Sequence, residues 1–569
     1  MIWWITSTSR AERERTELAD LQERRGWLEG LTWRIEKGLR LVADFNLVVA
    51  DTRVHLSLRY PDYFPDLPPS IIPTDDVVLS GHQYGRGGEL CLEYRADNWV
   101  STITGAMMVE SAYRLLVNEQ GEDAPPLPSA HRSSLGQNLR GNAFRFALTG
   151  DAKAALQSLK PGQHLQAAVS EIKFGDTYVA GLSRLGPKEA PVFEAPAQTE
   201  SHCECEAMAI RLPVGAEAPK SFTADNLRSL VEAQGLGVWF AEGRRLSAFV
   251  VLVSDRAIRL PSFFVTDALR VLDYRTIAID PPEARLPETF AAIGKKRVGI
   301  VGCGSVGSKV AVSLTRSGVA NFLLLDPDLF LPENTARNEL DLRAVAVHKT
   351  RALRERILEV RPAADVDARS VLIGGQESAE STASAMSQLA KCDLIVDATA
   401  DPDVFNLCAA VAKIERKPMV WGQVFGGGIG GLVAMARPNI DPPPQLARNQ
   451  IIGWYANRGV VWDLAPRRGY DGQREGGAPL LASDAEVSLI AAHMTRFAVD
   501  QLIVQPASAF PSPAYVTGFA KEWIFSGPFD TWPIDYAPEG EWGPQVDENA
   551  AEALTAFLGH LFPKAPNED

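Results

Sequence analysis

The sequence predicts an α/β protein whose C-terminal part is a doubly wound, Rossmann-like parallel sheet. Two observations carry that expectation. Past Glu288, apolar runs suited to buried strands alternate with helix-compatible segments: KRVGIVG then SKVAVSLTRSG, FLLLD then KTRALRERILEVRP, and later CDLIVDAT. Strands alternating with helices in this way imply βαβ units and a parallel sheet. The second observation is Gly302-Cys303-Gly304-Ser305-Val306-Gly307, a G-x-G-x-x-G run placed after a strand and at the start of a helix. There the first glycine permits a tight turn, the second lets phosphate approach the backbone, and the third lets helix and strand pack closely. The free N–H groups of the helix start favour an anion. Asp326 ends the next strand, where a carboxylate can accept ribose hydroxyl hydrogens.

Composition bounds the rest. A chain of 569 residues implies several domains. Hydrophobic residues at 46% and charged residues at 22% exclude wholesale disorder. A net charge of −14 argues against general affinity for nucleic acid or an anionic membrane. No apolar run reaches the roughly 20 residues that span a bilayer. The opening MIWWI is followed by charges, unlike a signal peptide. Six irregularly spaced cysteines form no disulfide framework, so a reducing cytoplasm is expected.

Texture divides the chain into four stretches. Residues 1–128 read as α+β: a charged helical segment, strands from Leu31, prolines between Pro61 and Pro73, and a helical pattern from Thr102 to Val117. In VHLSLRY, Val54, Leu56, Leu58 and Tyr60 share one face, the mark of a half-buried strand. Residues 129–287 are short mixed elements, read as an α/β or α+β connector. Residues 288–545 hold the doubly wound domain, and 546–569 read as a tail.

The segment DPDLFLPENTARNEL followed by HKT adds specificity. With Asp326 and Asp328 ending a strand, then Asn334, Arg337 and Lys349, it resembles the ubiquitin-activating and ThiF/MoeB-type adenylyltransferases. DLIVDATAD resembles that family's strand-end aspartate motif and puts Asp397 at Mg-ATP. Asn338 stands where the family often has Gln. The resemblance implies ATP and Mg²⁺ as cofactors and a protein C-terminal carboxylate as substrate. Arg337 and Lys349 would neutralise the triphosphate, Asn334 would orient it, and Asp397 would hold the metal. Homodimerisation is implied by the family alone.

In the first stretch, HLSLRYPDYFPDLPPSIIP and GHQYGRGGELCLEYRADNW resemble the corresponding passages of a ubiquitin-conjugating domain, with His82 ahead of Cys91-Leu92 and Trp99. A thiolate attacks an activated carbonyl readily, and the thioester can pass the acyl group on. Cys91 is therefore the expected acyl carrier. Gln83-Tyr84 replace the family's Pro-Asn, so Gln83, Tyr84 or Asn98 must supply the oxyanion contact. The usual activating-enzyme thiol has no evident position: no cysteine follows Cys408, and Cys303, Cys392 and Cys408 read as structural. Either Cys91 captures the adenylate directly or another residue substitutes.

His202, Cys203 and Cys205 cluster, but no second pair completes a zinc site. The glycine-rich 422–433 lacks the Lys-Ser/Thr of a P-loop and reads as a tight sheet crossing. The polar 438–484 could form a crossover loop. A conjugating-like part followed by an adenylating part looks like the bacterial fusion proteins of CBASS antiphage operons. That resemblance implies a multifunctional activating and conjugating enzyme that joins a carrier, either a cGAS-like nucleotidyltransferase or a ubiquitin-like protein, to target amines. A sulfur-carrier adenylyltransferase and a nucleotide-sensing adaptor are the alternatives.

Overall fold

A helix and a four-stranded antiparallel meander organise the N-terminal residues of this computed structural model. It describes all residues except 1, 51, 81, 85–86, 120–134, 197–202, 220, 237–247, 266–268, 280–284, 460–481, 504, 506, 545–548 and 563–569. His202 and the middle of the expected crossover loop lie outside the described residues. The chain divides into two compact units, Met1–Gly141 and Asn142–Asp569.

In the first unit, α1 (Trp3–Thr6) and α2 (Thr8–Arg24) precede strands β1 (Leu28–Glu36), β2 (Arg40–Val49), β3 (Thr52–Arg59) and β4 (Ser70–Pro73), ordered β1-β2-β3-β4. Gly38 and Leu39 adopt positive φ and close the first hairpin. Val54, Leu56, Leu58 and Tyr60 are all buried, as their alternation predicts. The sheet packs under α2 and α3 (Gly105–Glu119), with Leu18, Phe45, Val109 and Ala112 in the core. Glu14 is fully buried there. Its Oε2 accepts the Gly105 N–H (2.6 Å) and the Tyr60 hydroxyl (2.8 Å), and its Oε1 accepts Arg10 Nε (2.9 Å). One carboxylate thus joins α2, the end of β3 and the start of α3. The turn α4 (Leu135–Asn138) ends the unit.

Strands dominate the first part of the second unit, where an α/β connector was among the expectations. These are β5 (Phe144–Thr149), β6 (His164–Phe174), β7 (Thr177–Leu185), β8 (Phe193–Glu194), β9 (Cys203–Arg211), β10 (Ala248–Val253), β11 (Ile258–Val265) and β12 (Leu269–Ile279). The order β5-β12-β11-β10-β9-β6-β7-β8 is closed by a further β5–β7 pairing, so the strands from β5 round to β7 form a ring. Phe146, Val169, Ala207 and Val251 belong to one core cluster. Two helices, α5 (Gly150–Gln157) and α6 (Ala224–Glu232), complete it; Leu227 and Val231 of α6 pack on Ile210 and Val250.

The second part is the expected doubly wound sheet. Strands β13 (Arg297–Val301), β14 (Asn321–Leu325), β15 (Asp365–Arg369), β16 (Leu394–Asp397) and β17 (Met419–Phe425) are parallel. Antiparallel β18 (Gly430–Ala436), β19 (Ala514–Gly518) and β20 (Thr531–Ile534) extend it, in the order β15-β14-β13-β16-β17-β18-β19-β20. Helices α7 (Ser305–Arg316), α8 (Lys349–Val360) and α12 (Asp484–Leu502) supply Val310, Leu353 and Met494 to one core layer. Helices α9 (Ala379–Leu389), α10 (Pro402–Glu415) and α11 (Pro444–Ala456) supply Leu389, Cys408 and Ile451 to the other. The expected tail contains a helix, α13 (Ala550–Leu561), none of whose residues is buried. No described helix is long and apolar enough to cross a membrane.

Candidate functional site

Strand order reverses between β13 and β16, and their C-terminal ends meet there: Val301 pairs with Asp397. In open α/β sheets such a switch point is where ligands bind. Gly302 turns out of β13 with φ +85°, and a Cβ on it would lie 2.8 Å from Thr399 Cγ2. A Cβ on Gly307 would lie 1.8 Å from the Gly302 carbonyl oxygen, so α7 seats on the turn only with glycine there. Both roles match the fingerprint reading.

Asp326, the expected ribose contact, directly follows β14. It is buried; its Oδ2 accepts the Cys303 N–H (2.7 Å) and its Oδ1 the Asp328 N–H (2.9 Å). Burial raises its carboxyl above the usual range, with Lys349 opposing. The residue holds the glycine turn in shape. Asn338 assists: its Nδ2 donates to the Cys303 carbonyl (3.3 Å). Lys349, at the start of α8, is ion-paired to Asp328 (2.8 Å) and buried. The Asn334 Oδ1 accepts the Leu331 N–H (2.9 Å) in a one-turn 3₁₀ helix, Pro332–Ala336. That turn presents Arg337, whose Nη1 reaches the Ala482 carbonyl (3.3 Å).

An open cleft of about 280 Å³ lies at the switch point. Ser305, Val306, Arg337, Thr399 and Gln423 line it, with Gly426 and Gly427. The start of α7 and a guanidinium therefore face one space. The glycine run read as a sheet crossing is a hairpin between β17 and β18; Gly426, Gly427 and Gly428 all take positive φ in its turn.

A second, small cavity of about 30 Å³ adjoins this cleft and shares Ala400, Gly422 and Gln423 with it. Asp397, Asp401, Phe405, Trp421 and Arg448 line it. Asp397 is buried, and its Oδ1 accepts the Thr399 N–H (3.0 Å) and hydroxyl (2.6 Å). Burial pushes its carboxyl up to about 6. Asp401 caps α10, accepting N–H groups of Asp403 (2.8 Å) and Val404 (3.2 Å). These two carboxylates fit the oxygen-donor chemistry of Mg²⁺. Sequence reasoning singled out neither Asp401 nor Arg448. Asp401-Pro402, a cap before a proline, was the legible signal for the first.

The N-terminal unit places Cys91 in a small hairpin. Gln83 bridges Leu90, the Cys91 N–H donates to the His82 carbonyl (2.7 Å), and the Tyr84 N–H donates to the Glu89 carbonyl (2.9 Å). The Cys91 thiol is partly exposed. Two of the three candidate oxyanion donors serve the backbone. Gln83 Nε2 donates to the Val77 and Gly88 carbonyls (both 3.1 Å) and its Oε1 accepts the Leu79 N–H (2.8 Å). Asn98 Nδ2 donates to the Glu93 carbonyl (2.8 Å) and its Oδ1 accepts the Arg95 N–H (2.6 Å). The Tyr84 side chain, 64% exposed, is hydrogen-bonded to the thiol.

The other cysteines are placed as expected of inert ones: Cys303, Cys392 and Cys408 are buried. Cys203 and Cys205 lie at the start of β9, and burial pushes Cys205 up to about 12. Among the described residues, no group of three or more His, Cys, Asp or Glu is arranged to hold a metal.

Residues 283–443 match the ThiF family. An uncharacterized protein y4oA of Sinorhizobium fredii is 30% identical over 164 residues, covering 27% of this chain and 28% of that protein. The ATP-dependent ubiquitin transferase-like protein Cap2 of Enterobacter hormaechei is 36% identical over 118 residues, 21% of this chain and 19% of Cap2. These matches span less than a third of either relative. A second Sinorhizobium fredii protein, y4qC, is 26% identical over 452 residues, 71% of this chain and 74% of that one. Among solved structures, Escherichia coli MccB with AMPCPP and MccA aligns at TM-score 0.34 and 13% identity, over 45% of this chain and 69% of MccB. The C-terminal part of this chain carries a ThiF-family domain, and proteins named Cap2 are among its relatives.

Proposed function

We propose that the protein adenylates the C-terminal carboxylate of a protein substrate, captures it on Cys91 and delivers it to an amine. One observation carries the first step: the Val301–Asp397 pairing sets the glycine turn and the start of α7 against a cleft that also holds Arg337. The carboxylate oxygen attacks the α-phosphorus of ATP, the bond to the bridging oxygen breaks, and pyrophosphate leaves with its electron pair. Catalysis of such a step is mainly positioning and charge stabilisation. The N–H groups at the start of α7 and the Arg337 guanidinium face the developing charge. Lys349, held by Asp328, adds positive charge at the neighbouring strand end, and Asn334 fixes the turn that carries Arg337. Asp397, with Asp401, would hold Mg²⁺, which supplies charge neutralisation at phosphate oxygens.

In the second step the Cys91 thiolate attacks the acyl carbon and AMP departs. A target amine then attacks the thioester, and the thiolate leaves as the amine loses a proton. The helix, four-stranded meander and closing helix of the N-terminal unit support a ubiquitin-conjugating-like reading of that unit. The relatives named as ubiquitin transferase-like proteins support the same direction. On this reading the chain primes a cGAS-like nucleotidyltransferase in CBASS defence, works in the cytoplasm and forms a homodimer through its adenylation region.

Carboxylate-dependent exchange of labelled pyrophosphate into ATP tests the first step. Wild type should support exchange and Asp397→Ala should not. Exchange that persists in Asp397→Ala would remove that residue from the mechanism. ATP binding without any exchange would favour the adaptor reading. Activity that survives Cys91→Ala in full would favour a carrier adenylyltransferase with a passive N-terminal unit.

A further inference from the structure

We infer that the cavity beside Asp397 seats the last residue of the substrate, and that Arg448 recognises its free carboxylate. This deepens the adenylation reading and rests on it. Arg448 projects from α11 onto α10, its guanidinium carbon 4.6 Å from the centre of the Phe405 ring. It is half-buried and makes neither a hydrogen bond nor an ion pair with any described residue. Removing a charged group from water without partners is costly, and such groups are ordinarily paired. Burial weighs against its charge, while the fields of Asp397 and Asp401 favour it. Both carboxylates line the same cavity, yet neither comes within ion-pairing distance. Among the described residues none accepts from the Arg448 guanidinium, and its planar fork matches a carboxylate.

The cavity selects which anion. The features suited to a triphosphate, the start of α7 and Arg337, lie in the adjoining cleft. Around Arg448 the apolar walls are Phe405, Trp421 and Ile451, suited to one charged group on a small apolar body, while Asp397 and Asp401, whose charge Mg²⁺ would neutralise, line the same space. The enclosed space is small, about 30 Å³, so it takes a carboxylate on a small terminal residue and nothing larger. Because the two spaces share Ala400, Gly422 and Gln423, a carboxylate seated on Arg448 lies beside the phosphate cleft. A tail ending in an amide or a bulky side chain would be refused. Arg448 is thus a specificity-determining residue for the proposed reaction.

The probe is acetyl-Ala-Gly with a free carboxylate, compared with its C-terminal amide, on the full chain by saturation-transfer NMR. The acid should bind and the amide should bind at least about tenfold more weakly, the loss expected for one charge-assisted contact. Arg448→Met should lose the acid's advantage, Arg448→Lys should keep part of it, and both should keep wild-type ATP affinity. Equal binding of acid and amide to wild type needs no variant and would overturn the inference. So would undiminished acid binding by Arg448→Met, or an ATP affinity that falls with it, which would give the guanidinium to the triphosphate. Pyrophosphate exchange separates this inference from the reading beneath it. Acid binding through Arg448 without exchange sinks adenylation and leaves the carboxylate site standing. Carboxylate-dependent exchange that is unchanged in Arg448→Met sinks the carboxylate site alone.

Discussion

The Tyr84 side chain is hydrogen-bonded to the Cys91 thiol across the small hairpin formed by the Gln83–Leu90 bridge. Burial pushes the thiol above its ordinary range, the Tyr84 bond pulls it back, and the Glu89 and Arg95 charges oppose each other over it. On the proposed mechanism, a donor that stabilises the thiolate would also be at hand for the oxyanion of a thioester formed on that sulfur. Such donors accelerate acyl transfer when they are fixed before the reaction begins.

Tyr84→Phe should therefore slow both loading and discharge of Cys91 while leaving adenylate formation intact. A loss of about tenfold or more is expected for one donor in a partly exposed site. Single-turnover transfer to free lysine measures it. Gln83→Ala serves as a contrast, because it removes bonds to Leu79, Val77 and Gly88 and should loosen the hairpin instead. Wild-type discharge by Tyr84→Phe would return the oxyanion contact to another group.

Gly307→Ala should abolish nucleotide binding and lower thermal stability, because its Cβ would overlap the Gly302 carbonyl. The obstacle is backbone, which cannot rotate away. Gly453→Ala in α11 is the matched control: nothing lies within 4 Å of its Cβ, and alanine in a helix is favoured by about 0.5–1 kcal/mol. Calorimetry of both variants, with and without ATP, should move in opposite directions.

Glu14 gives a pH signature to the N-terminal unit. Burial raises its carboxyl above the ordinary value, despite bonds from Gly105, Tyr60 and Arg10 that favour ionisation. The folded state then binds the proton more tightly than the unfolded chain, so this group's contribution is complete at low pH and declines as pH rises through the raised value. Glu14→Gln should flatten that part of the stability curve between acid and neutral pH, read by denaturant titration at several pH values. An unchanged slope would show that the carboxyl is not raised.

What the sequence made legible follows physical range. The strands of the doubly wound sheet are apolar runs buried on both faces, so a local window suffices to see VGIV or LIVD. The glycine turn is equally local, since each glycine answers to a contact within a few residues of the fingerprint or to the strand end beside it. The strand ring of the second unit was not legible, because it closes through the pairing of β5 with both β12 and β7, which are far apart in sequence. Composition shows that Asp326 ends a strand, but not that its oxygens meet the Cys303 and Asp328 N–H groups. Gln83, Tyr84 and Asn98 look alike as candidate donors until the hairpin register assigns two of them to the backbone. Arg448 belongs to no motif; only the stacking of α11 on α10 makes it conspicuous.

The central claim is that energy from ATP ends as a thioester on Cys91, and intact mass spectrometry under non-reducing conditions tests it most directly. With ATP and the carrier protein, the chain should gain the carrier's mass less one water, lose it on treatment with a thiol, and fail to gain it in Cys91→Ala. An ATP-dependent adduct that survives the thiol, or that forms undiminished in Cys91→Ala, would contradict the account.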